Sequence, residues 1–284
     1  MIPELFSIGP FTVYSYGLML GIAFIVAGYI LNIEYARRGL GENLATEITV
    51  ISIFFGVVGS KLFHLFSYWD EFLADPGGMI FNPGGLVFHG GLILTVIVIY
   101  LYVQKKKISF WYLTDATAPS LAIAYGIGRI GCHLSGDGDY GIPTDLPWGT
   151  NYENGIVKPS HMFMNSDIAK SFPGGIVPDN TPLHPTPIYE FLGALALFYL
   201  LWHLRKKNLI DGQLFMLYLV LAGFSRFLVE FIRLNPSLAF GLTEAQLVAL
   251  GMVVAGIAGW IYFSKRSPEQ NFKVTPVHQK KKKN

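Results

Sequence analysis

The sequence has little charge and almost no cysteine. Only 14% of its 284 residues are Asp, Glu, Lys or Arg, whereas 52% are hydrophobic, and the mean hydropathy is +0.43. This balance excludes an ordinary soluble domain and indicates an integral membrane protein. The single cysteine, Cys132, excludes an intrachain disulfide and a cysteine-rich metal site. The histidine spacings HExxH and HxH are also missing, so a metal site is possible but unsupported. We expect no metal, no cofactor and no nucleic-acid partner.

Several apolar stretches are long enough to cross a membrane, which takes about 20 residues. Three of them carry no Asp, Glu, Lys or Arg: 5–33, 77–104 and 245–264. Four more are shorter or contain ionisable residues: 46–68, 113–133, 187–204 and 211–232. The sequence therefore predicts an all-α integral membrane protein of about seven transmembrane helices. A small extracytoplasmic cap, about 135–186, is expected between helices 4 and 5.

Short basic clusters follow the first, third, fifth and seventh of these helices, and cytoplasmic loops are enriched in Lys and Arg. This pattern predicts an extracytoplasmic N-terminus and a cytoplasmic C-terminus. We expect one transmembrane domain over 1–266. The remaining segment, 267–284, is polar and ends in a run of lysines before Asn284, so we expect a basic cytoplasmic tail.

One histidine, His89, lies between glycine pairs in the motif GGLVFHGGL, residues 84–92. Gly90 and Gly91 remove side-chain bulk beside it, so that a ligand or another helix can approach the imidazole closely. Histidine titrates near neutral pH, which suits a proton acceptor. A histidine hydrogen-bonded between packed helices is an equal alternative.

Arg129 lies in the Gly-rich segment YGIGRIGCHLSGDGDY, residues 125–140, directly after an apolar run. A permanent cation at the edge of an apolar segment is costly unless an anion meets it, and guanidinium matches two phosphate oxygens. We expect that anion to be a lipid phosphate, with Asp137 and Asp139 orienting the arginine. A Ca²⁺ loop is the alternative for the D-G-D spacing. Cys132 is expected to pack near a helix end, with a nucleophilic thiol as the alternative.

Three charges lie close together in the apolar run 211–232 and just beyond it: Arg226, Glu230 and Arg233. Spacings of four and then three residues put them on one face of a helix. Lipid does not accommodate such a stripe, so it must face the bundle interior or a water-filled cavity. We expect Glu230 to pair with either arginine and to leave positive charge free for an anion. An ion-pair network that only fixes packing is the alternative.

These motifs, taken in order, resemble those of the prolipoprotein diacylglyceryl transferase family. The similarity runs from about residue 6 to 267 and is carried by FSIGPFTVYSYGLML, GGLVFHGGL, YGIGRIGCHLSGD, LHPTPIYE, GFSRFLVEFIR and LTEAQ. The resemblance implies a seven-helix enzyme of the bacterial inner membrane. Such an enzyme transfers the diacylglyceryl group of phosphatidylglycerol to the lipobox cysteine of a prolipoprotein signal peptide, forming a thioether and releasing glycerol phosphate. This is the first step of lipoprotein maturation.

The resemblance also implies roles for particular residues. It assigns catalysis to His89, Arg129 and Arg226. Residues implied in binding phosphatidylglycerol are the two arginines with Tyr16, Gly90, Gly91, Asp137, Glu230 and Arg233. The membrane lipid and the lipobox peptide are the implied partners, and because the nucleophile belongs to the peptide, the enzyme needs no reactive cysteine of its own.

The chain departs from the usual family pattern at several positions near these motifs. The replacements are Cys132 and Ser135 for Asn, Asp137 for Glu, Pro187 for Gln, Ala222 for Tyr, and Lys61 for an arginine.

Two other classes of protein also fit an arginine-rich membrane bundle. An anion transporter should show half-repeats and broken helices. In a scaffolding protein the charged stripe 226–233 would have no function.

Overall fold

The computed structural model describes residues 1–9, 11–41, 43–82 and 84–273, and helices dominate this part of the chain. Its long helices are α1 (Ser15–Arg37), α2 (Leu44–Ser67), α5 (Phe88–Lys105), α6 (Phe110–Ser135), α9 (Thr186–Leu204), α10 (Gln213–Val229) and α11 (Glu244–Ser264). Short helices lie between them: α3 (Trp69–Ala74), α4 (Pro76–Phe81), α7 (Pro159–Met162) and α8 (Asp167–Lys170). Single 3-10 turns occur at Pro173–Gly175, Glu230–Ile232 and Pro268–Gln270.

Six helices of the described chain are both long and apolar enough to cross a membrane. They are α1, α2, α5, α9, α11, and α10 with its extension to Ile232. The predicted class, an all-α membrane protein, is confirmed. The predicted count of about seven depends on α6, which has 26 residues but is the least apolar of the long helices. Its length of about 39 Å, at 1.5 Å per residue, exceeds the thickness of the hydrocarbon core.

The described chain also contains three two-stranded antiparallel sheets, which hydropathy and charge did not predict. They pair β1 (Glu4–Ile8) with β2 (Phe11–Tyr14), β3 (Thr150–Asn151) with β4 (Pro182–Leu183), and β5 (Ser237–Ala239) with β6 (Leu242–Thr243). The first hairpin occupies the start of the charge-free run 5–33, so α1 begins only at Ser15. Gly9, with φ +60°, supplies the left-handed turn residue, and β-branched and aromatic residues favour the strands beside it.

The charge-free run 77–104 is also divided. The helix α4 ends at Phe81, and α5 begins only at Phe88. Gly85 between them has φ +68°, a left-handed conformation that an α-helix does not tolerate. The predicted third span is therefore 18 residues long rather than 28.

The chain forms two compact units, and the first comprises Met1–Ile30 with Thr117–Gln270. Within it α10 packs against both α9 and α11. A Cβ built at Gly256 on α11 would lie 2.8 Å from the carbonyl oxygen of Met216 on α10, so glycine permits this close approach.

The predicted cap, about 135–186, belongs to this first unit and is folded. Its aromatic and aliphatic side chains form a separate buried core: Tyr140, Tyr152, Phe163, Ala169, Val177 and Leu183. The hydroxyl of Tyr140 donates to the carbonyl oxygen of Val157 at 2.8 Å, so the buried phenol is satisfied. This core keeps the segment between α6 and α9 ordered.

The second unit comprises Leu31–Ala116 and the described residues from Asn271 onward. Its centre is the packing of α2 against α5. A Cβ at Gly90 would lie 2.5 Å from the carbonyl oxygen of Gly59, and one at Gly91 would lie 2.4 Å from that of Gly56. Only glycine fits at these crossing positions. Of the predicted tail, 267–284, residues 274–284 lie outside the described part of the chain.

Candidate functional site

The site begins at the C-terminal end of α6, where Arg129 projects from the last two turns. Its guanidinium carbon lies 4.8 Å from the ring centroid of Tyr125, one turn earlier on the same helix. This is a cation–π contact, which needs no counter-ion and holds the arginine along the helix. Gly131 gives α1 access to this end of α6, since a Cβ there would lie 3.3 Å from Cδ2 of Tyr16.

A buried carboxylate on a neighbouring helix forms an ion pair with this arginine. Glu190, in the second turn of α9, is 2% exposed, and its Oε2 lies 3.4 Å from Nε of Arg129. Its Oε1 accepts hydrogen bonds from the hydroxyl of Tyr125 at 2.6 Å and from Nη1 of Arg226 at 2.8 Å. Glu190 thereby links α6, α9 and α10 through one side chain.

The end of α10 supplies the second arginine. Nη2 of Arg226 lies 3.0 Å from Oε2 of Glu230, whose side chain is fully buried. The other oxygen of Glu230 accepts from Oγ1 of Thr243 at 2.9 Å and from Nδ2 of Asn235 at 2.5 Å. These contacts fix the carboxylate in place, so it holds Arg226 in one orientation.

The charged stripe predicted for one helix is bent. The helix α10 ends at Val229, the 3-10 turn Glu230–Ile232 follows, and Arg233 has extended backbone dihedrals. The backbone of Arg233 then forms an isolated antiparallel bridge with Gly141. This departure from the helix brings Arg233 beside the loop that follows α6, rather than one turn below Glu230.

Asp139, in that loop, bridges two of the arginines. One carboxylate oxygen pairs with Nη1 of Arg129 and the other with Nη2 of Arg233. Its backbone carbonyl accepts from the hydroxyl of Thr186, at the start of α9. The preceding residue, Gly138, has φ +92°, a conformation that favours glycine, and this turn directs Asp139 back toward α6.

The resulting arginine–carboxylate cluster contains three guanidiniums and three carboxylates: Arg129, Arg226, Arg233, Asp139, Glu190 and Glu230. Their charges therefore cancel. The expectation that Glu230 leaves positive charge free is corrected, because Asp139 and Glu190 supply the balancing charges. Burial requires this balance, since an unpaired charge in a low-dielectric site is costly. An incoming anion must compete with a carboxylate for these donors.

Three buried polar atoms of the cluster lack a hydrogen bond within the described residues: Oε2 of Glu190, Oε2 of Glu230 and Nη1 of Arg233. Oε2 of Glu190 and Nη1 of Arg233 face each other at 3.7 Å. Arg129 and Arg226 are each about one fifth exposed, at 19% and 21% of their side-chain surface. The cluster thus keeps both spare hydrogen-bonding capacity and access from outside.

The two aspartates of the D-G-D sequence differ in electrostatic environment. Burial, together with the charge of neighbouring Asp139, raises the pKa of Asp137 above its ordinary value. Burial opposes ionisation of Asp139 as well, but Arg233 and Arg129 hold its pKa below the ordinary value. Asp139 is therefore a stable anion at neutral pH.

A metal ion is a weaker interpretation of the same residues. Ligand atoms of Cys132, Asp137 and Asp139 lie within 4.8 Å of one another. Both oxygens of Asp139, however, already face guanidiniums, which a cation would have to replace. Sγ of Cys132 lies 3.8 Å from Nη1 of Arg129 and is buried, which agrees with a packing role at the helix end.

The structure brings together six of the sequence-predicted site residues in the first unit. They are Tyr16, Arg129, Asp137, Arg226, Glu230 and Arg233. The other three, His89, Gly90 and Gly91, belong to the second unit. There His89 is an exposed residue in the first turn of α5, while the two glycines are buried against α2. The close packing of α2 against α5 explains why both positions are glycine. A role of these two glycines in lipid binding stays a prediction.

The segment before His89 is held by α2. Nζ of Lys61 donates to the carbonyl oxygens of Asn82 and Gly84 at 2.8 and 2.9 Å. A Cβ at Gly85 would lie 2.3 Å from Nε2 of His64, so the ring covers this glycine closely. Lys61 thus fixes backbone carbonyls, a task that needs a donor rather than the planar fork of arginine.

Sequence reasoning missed Glu190 as a member of the cluster and Tyr125 as a partner of Glu190 and Arg129. Glu190 ends the quoted motif LHPTPIYE, yet no role was assigned to it. A signal was present, because Glu190 is the only Asp, Glu, Lys or Arg within the sequence of α9. A lone carboxylate in an apolar helix needs a cationic partner. Tyr125 carries no comparable signal, since aromatic residues are common in such helices.

Comparison with known proteins gives a consistent result. A family model described as prolipoprotein diacylglyceryl transferase matches residues 3–262. A phosphatidylglycerol–prolipoprotein diacylglyceryl transferase of Clostridium tetani is 33% identical over 259 residues, covering 90% of this chain and 96% of that protein. The protein of the same name from Bordetella avium is 33% identical over 288 residues, covering 94% and 97%. That from Halalkalibacterium halodurans is 30% identical over 262 residues, covering 90% and 84%.

Proposed function

The chain belongs to the prolipoprotein diacylglyceryl transferase family, and on that premise we propose that its arginine–carboxylate cluster holds the phosphate of phosphatidylglycerol. The protein transfers the diacylglyceryl group of this lipid to a prolipoprotein. The observation that carries the proposal is the convergence of Arg129, Arg226 and Arg233 within one network around Glu190. Guanidiniums held in fixed orientations are suited to the oxygens of a phosphodiester.

Negative charge develops at the phosphate during the reaction. The sulfur of the lipobox cysteine forms a bond to a saturated carbon of the diacylglyceryl group, and the bond from that carbon to the phosphate oxygen breaks. The electron pair of the broken bond leaves with glycerol phosphate. Arginines oriented before the reaction stabilise this developing charge, and in a site with little water the effect is worth several kcal/mol, about 3–4 for one lost donor.

The thiol proton needs an acceptor, because an unperturbed thiol has a pKa of about 8.5 and the thiolate is the stronger nucleophile. We assign this task to His89 on the chemistry of its imidazole. The variant His89→Gln should then lose thioether formation while phosphatidylglycerol still binds normally. Near-normal thioether formation by purified His89→Gln would refute the assignment.

The other predicted residues take supporting roles. Tyr16 packs over the end of α6 beside Arg129, and Glu230 orients Arg226. Asp137 accepts from the backbone N–H of Asp139 at 3.3 Å and so shapes the loop. Gly90 gives access to the neighbouring imidazole in this proposal, in addition to its packing role.

The protein is an integral membrane protein, and its family supports a placement in the bacterial inner membrane. The distribution of Lys and Arg supports an orientation with the N-terminus outside and the C-terminus in the cytoplasm. With α6 as a spanning helix the count is seven, which puts the two termini on opposite sides. Residues 1–266 then form the catalytic domain, and 267–284 form a basic tail on the cytoplasmic side.

The test is direct. Purified protein is incubated with phosphatidylglycerol and a lipobox peptide, and the products are analysed by mass spectrometry. We expect a peptide that gains one diacylglyceryl group as a thioether, together with an equal amount of glycerol phosphate. A peptide with serine in place of the lipobox cysteine is the matched control and should remain unmodified. Folded protein that gives no product, but moves anions across proteoliposomes, would identify a transporter instead.

A further inference from the structure

The three carboxylates of the cluster differ in side-chain exposure and in their hydrogen-bond partners. Glu190 and Glu230 are buried, at 2% and 0% side-chain exposure, and each accepts a hydrogen bond from a neutral donor and forms an ion pair with Arg226. Asp139 is 27% exposed, which is the largest value among the six charged groups. A ligand that enters the cluster therefore meets the carboxylate of Asp139 more easily than either glutamate.

Asp139 also occupies the position where an anion fits best. Its two oxygens pair with two different guanidiniums, those of Arg129 and Arg233. Two oxygens of one phosphate reproduce this bridge, because guanidinium donors accept carboxylate and phosphate oxygens in the same geometry. Arg226 is less available, since its two η nitrogens face the buried oxygens of Glu190 and Glu230.

The backbone of Asp139 is fixed while its side chain has room to turn. Its carbonyl accepts from the hydroxyl of Thr186, and its N–H donates to Oδ1 of Asp137. Two residues later the N–H of Gly141 donates to the carbonyl oxygen of His184 at 2.9 Å. Release of the arginines thus requires only rotation about the side-chain torsions of Asp139, without movement of the loop.

The charges favour an exchange at this position. The cluster is neutral with Asp139 in place, and a phosphodiester carries one negative charge, as a carboxylate does. Replacement of one by the other keeps the buried site neutral. The released glycerol phosphate is a phosphomonoester, whose charge is about −1.5 to −2 at neutral pH. Return of Asp139 then competes with a product that carries more charge than the site can balance.

We propose that Asp139 is an internal counter-ion, which occupies the phosphate position between Arg129 and Arg233, yields it to phosphatidylglycerol and returns to expel glycerol phosphate. This inference rests on the proposed function and makes it more specific, because it assigns the phosphate to Arg129 and Arg233. Arg226 becomes the arginine that holds Glu190 and Glu230 in place. In this role Asp139 is a positioning residue that sets the affinity for lipid and product.

The experiment measures two constants with purified protein in mixed micelles. One is the KM for phosphatidylglycerol at a fixed lipobox-peptide concentration, and the other is the inhibition constant of added glycerol phosphate. The variant is Asp139→Asn, which keeps the shape of the side chain but removes its charge. The matched control is Asp145→Asn, which changes an exposed aspartate of the same segment. Thermal unfolding verifies that each variant is folded.

We expect Asp139→Asn to lower both constants about fivefold, because a partly exposed ion pair that competes with the ligand is worth about 1 kcal/mol. The value of kcat should fall when product release becomes slow. Asp139→Glu should move both constants back toward wild type, and Asp145→Asn should leave them within about twofold. If Asp139→Asn does not fold, Asp139→Ser provides the same test with a smaller neutral side chain.

A higher KM in folded Asp139→Asn, or two unchanged constants, would overturn the inference, since Asp139 would then orient the arginines rather than compete with lipid. This outcome is distinguishable from failure of the proposed function. In that case wild-type protein itself forms no thioether from phosphatidylglycerol, whatever residue stands at 139.

Discussion

Glu190 is the side chain on which the cluster depends most, and Glu190→Gln is the change that tests it. The carboxylate accepts from Nη1 of Arg226 at 2.8 Å and lies 3.4 and 3.7 Å from nitrogens of Arg129 and Arg233. Glutamine has the same size and keeps an oxygen for the hydroxyl of Tyr125. The substitution therefore removes one charge and little else, and it leaves three guanidiniums facing two carboxylates.

The expected cost follows from these contacts. Loss of one partner from a buried ion pair costs about 3–5 kcal/mol. Because glutamine retains the tyrosine hydrogen bond, we expect the lower end of that range, about 3 kcal/mol in the free energy of unfolding. The same change lets Arg129 and Arg233, both of which lie beside Glu190, turn away from the phosphate. A loss of about 3 kcal/mol in transition-state stabilisation corresponds to about a hundredfold fall in kcat/KM.

Two measurements separate stability from catalysis. The free energy of unfolding is obtained by denaturant titration in detergent, and kcat/KM is obtained from thioether formation per folded molecule. The matched control is Glu34→Gln in the second unit, because Glu34 is also fully buried and pairs with Arg37 and Arg38. The control should lose similar stability but keep its kcat/KM. If Glu190→Gln keeps a kcat/KM within threefold of wild type, the role given to the cluster is wrong.

Three further predictions concern stability and use thermal unfolding in detergent. Gly91→Ala should lower the unfolding midpoint by at least 5 °C, because the new Cβ would lie 2.4 Å from a carbonyl oxygen of α2. The control Gly251→Ala should leave the midpoint unchanged, because no atom lies within 4 Å of its new Cβ. Asp137→Asn should raise the midpoint by about 2–4 °C at pH 7, since burial raises the pKa of this carboxyl and penalises its charged form. That gain should disappear below about pH 4, where the aspartic acid is protonated in both folded and unfolded chains; a gain independent of pH would contradict it. Lys61→Met should lower the midpoint by about 3 °C through loss of two carbonyl hydrogen bonds, and Lys61→Arg should restore it.

The helical class could be predicted from the sequence because lipid imposes a simple condition. A run of about 20 residues without charge has few structures available to it in hydrocarbon. Two of these runs are not helical over their full predicted length, and the local backbone conformation is the cause. The run 5–33 starts with a hairpin turning at Gly9, and the run 77–104 is divided near Gly85. Hydropathy alone does not report left-handed glycines.

The candidate site could be predicted in part, because its arginines are conspicuous in an apolar sequence. Arg129, Arg226, Glu230 and Arg233 were all identified as groups that need buried partners. The partners themselves depend on contacts between distant segments. Glu190 meets Arg226 across 36 positions of sequence, and no periodicity encodes such a contact. The neutrality of the cluster was missed for the same reason.

One consequence of the long-range contacts is the bend after α10. Spacings of four and three residues are helical, so the stripe 226–233 was expected to continue as one helix. The helix ends at Val229, before a proline at 236, and Arg233 pairs instead with Asp139. Tertiary pairing of a buried arginine outweighs the small gain from one more helical turn.

The proposed function is tested most directly by replacing Arg129 with lysine, which keeps the positive charge and loses the planar fork. Thioether formation from phosphatidylglycerol and a lipobox peptide is measured for wild type, Arg129→Lys and, as a matched control from the second unit, Arg37→Lys. We predict a fall in kcat/KM of about a hundredfold for Arg129→Lys and less than threefold for Arg37→Lys. Wild-type kcat/KM in folded Arg129→Lys would contradict the proposal that this guanidinium holds the departing phosphate.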